Sequence, residues 1–384
     1  MAEDLIIYTP MYVTFFWAVV LLLSKHQNNR AKFFLGVFMF VAFLLYLSHA
    51  HFFKKVISTF HIFDPVYIFA SLSVYPLYYW YIKLLSVETS YRWYNLRLLL
   101  PAAFFALTTI VLYMMMSGPE RQIYIHKLLM KRGIHNVDST LINIQKTNYL
   151  ISRIVFVVQV LYFLIQGQKL VKHYNRQIAN FYSNLESKTI LWVNYFLYSF
   201  VVTSVMSIVF NVLGRNIFME SLFLLLIPSL IFSVLLFFIG LLGYMQNHTV
   251  VDLEIEVKNS DNQIPKNYNT NKLNEKLLDL FVNEAIFKDP DLKITHLSEK
   301  LHTNRTYISK HINTEFACTF SDFVNRYRIE EAKRLLTSDS SKGYSLNYIS
   351  EKSGFGSMGS FMRVFRDFEG ITPGQYREKN TSAE

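Results

Sequence analysis

The sequence predicts an all-α protein: a polytopic transmembrane helical bundle with about seven spans, followed by a soluble all-helical domain. Two observations predict this division. Apolar runs rich in Phe, Leu, Tyr, Val and Ile dominate residues 1–244, whereas charged residues occur throughout residues 271–384. In the second part the apolar residues recur at helical spacing, which is typical of amphipathic helices. The predicted domains are therefore residues 1–244 and 271–384, joined by a polar linker at residues 245–270.

Seven apolar runs are long enough to cross a bilayer, whose core of about 30 Å needs roughly 20 residues of helix. The third run contains Pro76, and the fifth contains Arg153 and Gln159, so these two are the weakest candidates. Because Glu3 and Asp4 are acidic, the first run is interpreted as a retained span and not as a cleaved signal peptide. The predicted spans are Leu5–Leu23, Phe33–Phe53, Val66–Leu85, Leu96–Met116, Tyr149–Ile165, Ile190–Leu213 and Ser221–Tyr244.

Lysine and arginine residues in the loops indicate the orientation of the bundle. With the N-terminus outside, ten of them fall in inner connections and eight in outer ones. This predicts a multi-pass protein of a bacterial cytoplasmic membrane, with residues 271–384 in the cytoplasm. Polar residues such as His49, Asp64 and Arg153 lie mostly near span ends. We therefore interpret them first as interfacial residues, and a ligand-binding or proton-transfer role is the alternative.

The composition argues against several kinds of site. The net charge of +10 belongs almost wholly to residues 1–270, so the basic balance does not by itself indicate nucleic-acid binding. A single cysteine, Cys318, excludes an intramolecular disulfide and cysteine-based metal sites. The spans contain no His/Asp/Glu cluster, glycine-rich phosphate loop or nucleophile motif. We therefore predict a protein that is not an enzyme and that has no metal or cofactor.

Periodic apolar residues in the C-terminal domain predict a first helix-turn-helix unit. Its first helix carries Ile294, Leu297 and Leu301, and a turn follows at His302–Thr303. Its second helix, at residues 304–316, buries Ile308, Ile312 and Phe316. The outward face contains no acid, and its side chains are suited to base edges and phosphates. Those residues are Asn304, Arg305, Thr306, Ser309, Lys310 and Asn313, with His311 beside them.

A second unit follows one long predicted helix, Thr319–Thr337, whose length of about 28 Å approaches one turn of DNA, about 34 Å. Gly354 suits the left-handed end of a helix, and Ser357 suits the start of the next one. Thr372–Pro373 predicts a short closing helix. Phe361, Phe365 and Phe368 are predicted to face inward. The residues left to face DNA are Met358, Gly359, Met362, Arg363 and Arg366.

Residues 271–380 resemble the DNA-binding domain of AraC/XylS-type transcription regulators. The resemblance implies seven helices with two helix-turn-helix units joined by a long helix. It also implies binding of double-stranded promoter DNA, activation through RNA polymerase, and the pairing of two copies that is common in the family. Departures are Ser298 and Ser350 in place of alanine, and His302 in place of a turn glycine. The carrying residues are Leu297, Leu301, Ile308, Phe316, Arg328–Leu336, Gly354, Phe355, Ser357, Phe361, Arg363, Phe365, Gly370, Thr372, Pro373, Tyr376 and Arg377.

Together these features predict a membrane-anchored transcription regulator that couples a membrane or extracytoplasmic signal to promoter activation. The signal, a small molecule or a protein, is not identified by a resemblance that covers under a third of the chain. An alternative is a membrane receptor or transporter whose helical tail binds a protein, without salt-dependent DNA affinity. Sequence specificity is assigned to Arg305, Thr306, Lys310, Arg363 and Arg366, and phosphate contacts to Asn304, Ser309 and Ser357.

Overall fold

The computed structural model describes residues 2–24, 30–56, 58–86, 93–130, 139–185, 205, 222–245, 270–338 and 343–381. Within these ranges every regular element is a helix. The chain divides into two compact units. The N-terminal unit comprises Met1–Val171 and Leu191–Val250, and the C-terminal unit comprises Lys172–Ile190 and Val251–Glu384. Residues 172–190 thus group with the C-terminal unit, although they lie between the predicted fifth and sixth spans.

The N-terminal unit is a bundle in which consecutive helices pack against one another. Helix α1 packs against α2 and α7, α2 also packs against α3, and α3 packs against α4. A 3-10 helix, Trp93–Leu99, leads into α4, and a π-helix, Ile123–Met130, follows α5. The α-helices are α1 Ala2–Leu23, α2 Arg30–Phe53, α3 Phe60–Ser86, α4 Leu100–Met115, α5 Gly118–Gln122, α6 Thr140–Ala179 and α7 Leu222–Met245.

Five helical segments in the described ranges are long and apolar enough to cross a membrane. They coincide with the predicted spans one, two, four, five and seven. Helix α3 covers the predicted third span but is not among the five, and the predicted sixth span and most of the predicted linker lie outside the described residues. The count of seven therefore stays a prediction. The five segments are Asp4–Leu23, Ala31–Phe53, Tyr94–Met115, Thr140–Ala179 and Leu224–Met245.

In the described residues after position 269, the C-terminal unit contains seven α-helices, and a capping side chain begins several of them. Asn304 and Ser357 accept hydrogen bonds from backbone N–H groups at the starts of α10 and α13, and Thr319 forms a capping box with Asp322. Thr372 caps the last helix by accepting from the N–H of Gln375. The helices are α8 Thr270–Val282, α9 Ile294–Lys300, α10 Arg305–Glu315, α11 Phe320–Thr337, α12 Leu346–Lys352, α13 Met358–Glu369 and α14 Pro373–Thr381.

Helix α11 supplies core residues to both halves of the unit. Its first part packs Phe323 against Phe281 and Phe316. Its second part joins a cluster that contains side chains of α12, α13 and the turn between them: Ile329, Ala332, Leu336, Ile349, Phe355, Phe361, Val364 and Phe365. The predicted long helix is thus confirmed, and its 18 residues extend about 27 Å.

Three predicted side-chain orientations are wrong. Phe368, predicted to face inward, is 40% exposed because it lies in the last turn of α13, beyond the core cluster. Val282 continues the helical apolar spacing of Leu278 and Phe281, which predicts a buried side chain, yet it is 66% exposed at the end of α8. His311, predicted to lie beside the outward face of α10, is buried, where its ring contacts Phe316.

The buried side chain of Arg328, on α11, connects three separate parts of the C-terminal unit. Its Nε donates to the carbonyl of Phe287 at 2.8 Å. Its Nη2 donates to the carbonyl of Asp289 at 2.7 Å and to the Ser183 hydroxyl at 3.1 Å. Burial lowers the pKa of Arg328 to about 10, against the opposing effect of Asp289 and Asp291. The guanidinium therefore remains charged at neutral pH, with its donors directed at acceptors.

The turns of the two helix-turn-helix units share one hydrogen-bond pattern. Thr303 N–H donates to the Ser298 carbonyl, and Phe355 N–H donates to the Ser350 carbonyl, each at 3.0 Å. Because these bonds use backbone atoms, serine serves there as well as the alanine common in the resembling family. The left-handed residue of the first turn is His302, with φ of 48°.

Substitution of Arg328 by alanine is expected to destabilise the C-terminal unit. It leaves three acceptors, two of them buried, without their donor, so the free energy of unfolding should fall by about 3–5 kcal/mol. Hydrogen exchange of residues 273–381 in the full-length protein measures this effect. Arg326→Ala, at an exposed site on the same helix, is the control and should change stability by under about 0.5 kcal/mol. Equal exchange in both variants would contradict the role given to Arg328.

Opposite substitutions in the two turns should have opposite effects. His302→Gly should stabilise the unit by about 1 kcal/mol, since a left-handed backbone costs a residue with a Cβ roughly that amount. Gly354→Ala should destabilise it, because φ is 87° and a new Cβ would lie 2.5 Å from the Phe287 carbonyl oxygen. The same exchange measurement compares both variants with the wild type. A change of the same sign in both would show that turn strain does not govern stability.

Candidate nucleic-acid interface

Two equivalent scaffolds, α9–turn–α10 and α12–turn–α13, each present one helix at the surface. The first helices have 7 residues each. The second turn is one residue longer, since three residues separate Ser353 from Ser357 and two separate Leu301 from Asn304. Ile308 and Ile312 on α10 correspond in position to Phe361 and Phe365 on α13, and all four are buried.

The face of α10 carries the predicted residues of the first unit. Thr306 and Lys310 are exposed. Arg305, Ser309 and Asn313 are half-buried at the edges of that face. The predicted phosphate contact Asn304 is also half-buried, and its Oδ1 accepts from the N–H of Thr306 at 2.7 Å. Its side-chain N–H groups, and not its oxygen, therefore suit a phosphate.

The face of α13 carries the predicted DNA-contacting residues of the second helix-turn-helix unit. Gly359, Arg363 and Arg366 are exposed, and Met362 is half-buried. Met358, at the position that Arg305 occupies in the first unit, packs against the core cluster. The hydroxyl of Ser357, also half-buried, accepts a hydrogen bond from Ser360 N–H at 3.1 Å.

Three cations on these faces form no ion pair with an acidic residue in the described part of the C-terminal unit. Among the described residues, Lys310, Arg363 and Arg366 form no ion pair. Glu331 on α11 is paired with Arg334 and Lys288. Hydrogen bonds from Arg334 and Lys288, and the charges of these two residues, lower the pKa of Glu331 to about 2. The positive charge of the two faces is thus available to a polyanion.

A short segment after α6 packs against part of the first helix-turn-helix unit. We call residues 180–184 the docking segment. Ser183 N–H donates to the Leu292 carbonyl at 3.1 Å, and Ile294 N–H donates to the Phe181 carbonyl at 3.0 Å. These two bonds form an antiparallel bridge between Tyr182 and Lys293. The side chains of Phe181, Tyr182 and Ser183 are buried.

The docking segment contacts two of the predicted DNA-binding residues. The guanidinium of Arg305 lies 5.9 Å from the ring centroid of Phe181. The Nδ2 of Asn313 lies 3.5 Å from the Oδ1 of Asn180. No local pattern in residues 180–184 indicated this placement, because its contacts join residues more than one hundred positions apart.

Sequence reasoning also missed exposed aromatic and basic residues near the two reading helices. Tyr307 is exposed beside Thr306 on α10. On the second unit, Tyr344 and Tyr348 are exposed with ring centroids 4.5 Å apart, and Lys352 Nζ lies over the Tyr348 ring at 5.5 Å. The first helix of a helix-turn-helix unit crosses the DNA backbone. These residues are therefore candidate phosphate contacts, signalled by their Tyr-x3-Tyr-x3-Lys spacing.

Comparison with known proteins identifies the scaffold. A family profile described as a helix-turn-helix domain matches residues 297–379. The uncharacterised helix-turn-helix-type transcriptional regulator YtdP of Bacillus subtilis is 32% identical over 94 residues, which are 24% of this chain and 12% of that one. The similarly described YisR of Bacillus subtilis is 35% identical over 85 residues, 22% of this chain and 29% of that one. The chain therefore spans under a third of either relative.

A solved structure is also similar in sequence. It is the C-terminal domain of the two-component response regulator yesN from Fusobacterium nucleatum, with 32% identity, 27% of this chain and 98% of that chain covered, and a TM-score of 0.25. The family profile runs from Leu297 in α9 to Lys379 in α14 and so spans both helix-turn-helix scaffolds described above. The C-terminal part of the chain is thus a helix-turn-helix domain of the AraC type, as found in transcriptional regulators that bind DNA.

Proposed function

We propose that this chain is a membrane-anchored, sequence-specific regulator that couples a membrane or extracytoplasmic signal to promoter activation. The observation that carries the proposal is the pair of exposed helix faces on α10 and α13, with the cations Lys310, Arg363 and Arg366, joined through α11. The length of α11, about 27 Å, suits two helices in successive major grooves, which recur about every 34 Å. RNA polymerase is the partner that activation requires, and a second copy of the chain would supply a second pair of reading helices.

The helices of the N-terminal unit support a membrane anchor. Helix α6 illustrates this, because an apolar stripe along it is exposed at spacings of three and four residues: Leu150, Ile154, Val158, Leu161 and Ile165. A stripe of that length on a soluble protein would be an aggregation surface, whereas lipid tails cover it without cost. We place the protein in the bacterial cytoplasmic membrane.

The docking segment supports the proposed orientation. It follows the predicted fifth span, in a connection assigned to the cytoplasmic side. Its hydrogen bonds to Leu292, Ile294 and Arg328 belong to the helix-turn-helix domain. Segments that share one compact unit must lie on the same side of a bilayer. The contacts therefore favour a topology in which both are cytoplasmic and the N-terminus is outside.

Alanine substitution of Lys310 or Arg363 tests DNA recognition. Loss of a base contact should weaken promoter binding by about 1–3 kcal/mol and relax the sequence preference at one position. The measurement is a gel-shift titration of the full-length protein in nanodiscs against a promoter library at several salt concentrations. Lys379→Ala, which removes an exposed lysine of α14, is the control and should retain wild-type affinity.

Two outcomes of that titration would count against the proposal. Unchanged affinity in both variants would remove the residue assignment. Absence of any salt-dependent DNA affinity in the wild type would favour the alternative, a membrane receptor or transporter whose helical tail binds a protein.

A cross-link between the docking segment and α10 should inhibit DNA binding. Asn180→Cys and Asn313→Cys, made in a Cys318→Ser background, place two thiols where the present side chains meet. A short, cleavable thiol cross-linker would then hold the segment against the reading face, and affinity for promoter DNA should fall about tenfold or more. Cleavage of the cross-linker should restore the affinity. The two single-cysteine variants, treated identically, serve as controls, and equal affinity before and after cleavage would exclude competition between the segment and DNA.

A further inference from the structure

The N-terminal unit contains a cavity of about 250 Å³. A single water needs roughly 10–15 Å³ of such space, so this cavity has room for an organic molecule. Its walls are contributed by α1, α2, α3, α6 and α7, and they are mainly aliphatic and aromatic, with a few polar groups. That combination is typical of ligand sites. Aromatic members of the wall include Phe38, Tyr46, Phe63, Tyr75, Phe156 and Phe232.

The wall residues concentrate towards one end of the helices. They come from the start of α1, the later part of α2, the first part of α3, and the beginning of the apolar part of α6. On α7 they extend from Leu225 to Ile239. In the proposed topology the named ends of α1, α2, α3 and α6 are outer ends. The cavity would therefore be reached from the extracytoplasmic side or from the outer leaflet.

Arg153 gives the cavity a cationic group. It lies on α6, its guanidinium is 5.7 Å from the ring centroid of Tyr149, and it lines the cavity. Within the described part of the chain it forms no ion pair. An arginine in an apolar span is costly unless its charge is compensated. Its five N–H donors match the oxygens of a carboxylate or phosphate.

The acidic residue of the cavity is already engaged. Asp64 is buried, and its Oδ2 accepts a hydrogen bond of 2.9 Å from the hydroxyl of Tyr113. The ring of His49, another wall residue, lies 5.1 Å from the ring of Tyr67. An incoming cation would have to compete for a carboxylate that has a donor, whereas an anion would meet a guanidinium whose described contact is an aromatic ring.

We propose that this cavity binds an amphipathic anion, with an apolar body between the aromatic walls and a carboxylate or phosphate head on Arg153. The inference deepens the proposed function, since such a molecule would be the signal. The source could be a free single-chain amphiphile or an anionic lipid, because both offer the same head chemistry.

Binding of radiolabelled decanoate to the full-length protein in zwitterionic phosphatidylcholine nanodiscs tests the site, without DNA present. Saturable binding is expected, and unlabelled decanoate should compete about tenfold or more better than decanol, because a charge-assisted hydrogen bond is lost with the alcohol. Equal competition by decanol, or stronger competition by decyltrimethylammonium, would overturn the proposal. Adding phosphatidylglycerol to the discs separates the sources: displacement of decanoate assigns the site to a lipid, and retention assigns it to a free amphiphile.

Arg153→Gln should weaken decanoate binding about tenfold or more, and Arg153→Lys should restore part of it. Arg97→Gln is the matched control, because Arg97 also lies over a tyrosine ring, at 5.1 Å from that of Tyr94, yet does not line the cavity. Ser71→Phe, which fills the cavity without removing a charge, should also block binding. Wild-type binding in both Arg153→Gln and Ser71→Phe would refute the site. Decanoate binding without promoter binding would instead defeat the proposed function alone.

Discussion

The C-terminal unit depends on the satisfaction of one buried charge. The Arg328 side chain is 1% exposed, and an ion so buried is tolerated only when its donors meet acceptors. Those acceptors come from the turn after α8, at Phe287 and Asp289, and from the docking segment, at Ser183. The guanidinium also lies 5.8 Å from the ring centroid of Phe355, in the turn of the second unit. The Arg328 side chain therefore fixes α11 relative to the turn after α8, to the turn between α12 and α13, and to the docking segment.

Local chemistry explains what the sequence could predict. The start of α13 at Ser357, the left-handed Gly354 and the length of α11 follow from capping, backbone sterics and apolar spacing, which involve near neighbours. Long-range contacts explain what it could not. The bond from Arg328 to Ser183 joins residues 145 positions apart. Phe368 has the helical phase of a core residue, yet no neighbour covers it beyond the end of the cluster, which periodicity alone does not reveal.

The two reading helices share a scaffold but differ in chemistry. The α10 face has Thr306 and Lys310, with Asn313 at its edge, whereas the corresponding positions of α13 are Gly359, Arg363 and Arg366. Glycine lets a backbone approach the groove closely, and arginine suits guanine edges. Arg305 of the first helix-turn-helix unit lies near Phe181. The corresponding residue of the second unit is Met358, which packs against the core cluster. Among the described contacts, the docking segment meets the reading face of the first helix-turn-helix unit, at Arg305 and Asn313. A signal that moves the segment would therefore act on that unit first.

Helix α6 connects the two proposals through its own sequence. Its residues Tyr149, Ser152, Arg153 and Phe156 line the cavity, and its end at Ala179 leads directly into the docking segment. The 24 residues from Phe156 to Ala179 extend about 35 Å as a helix, enough to cross a bilayer core of about 30 Å. A helix transmits displacement along its axis because each turn is hydrogen-bonded to the next. An anion bound at Arg153 would shift α6 between two positions only if the protein binds the anion more tightly in one position than in the other. That shift of α6 would move residues 180–184, and their position would then determine how often Arg305 and Asn313 are accessible to DNA.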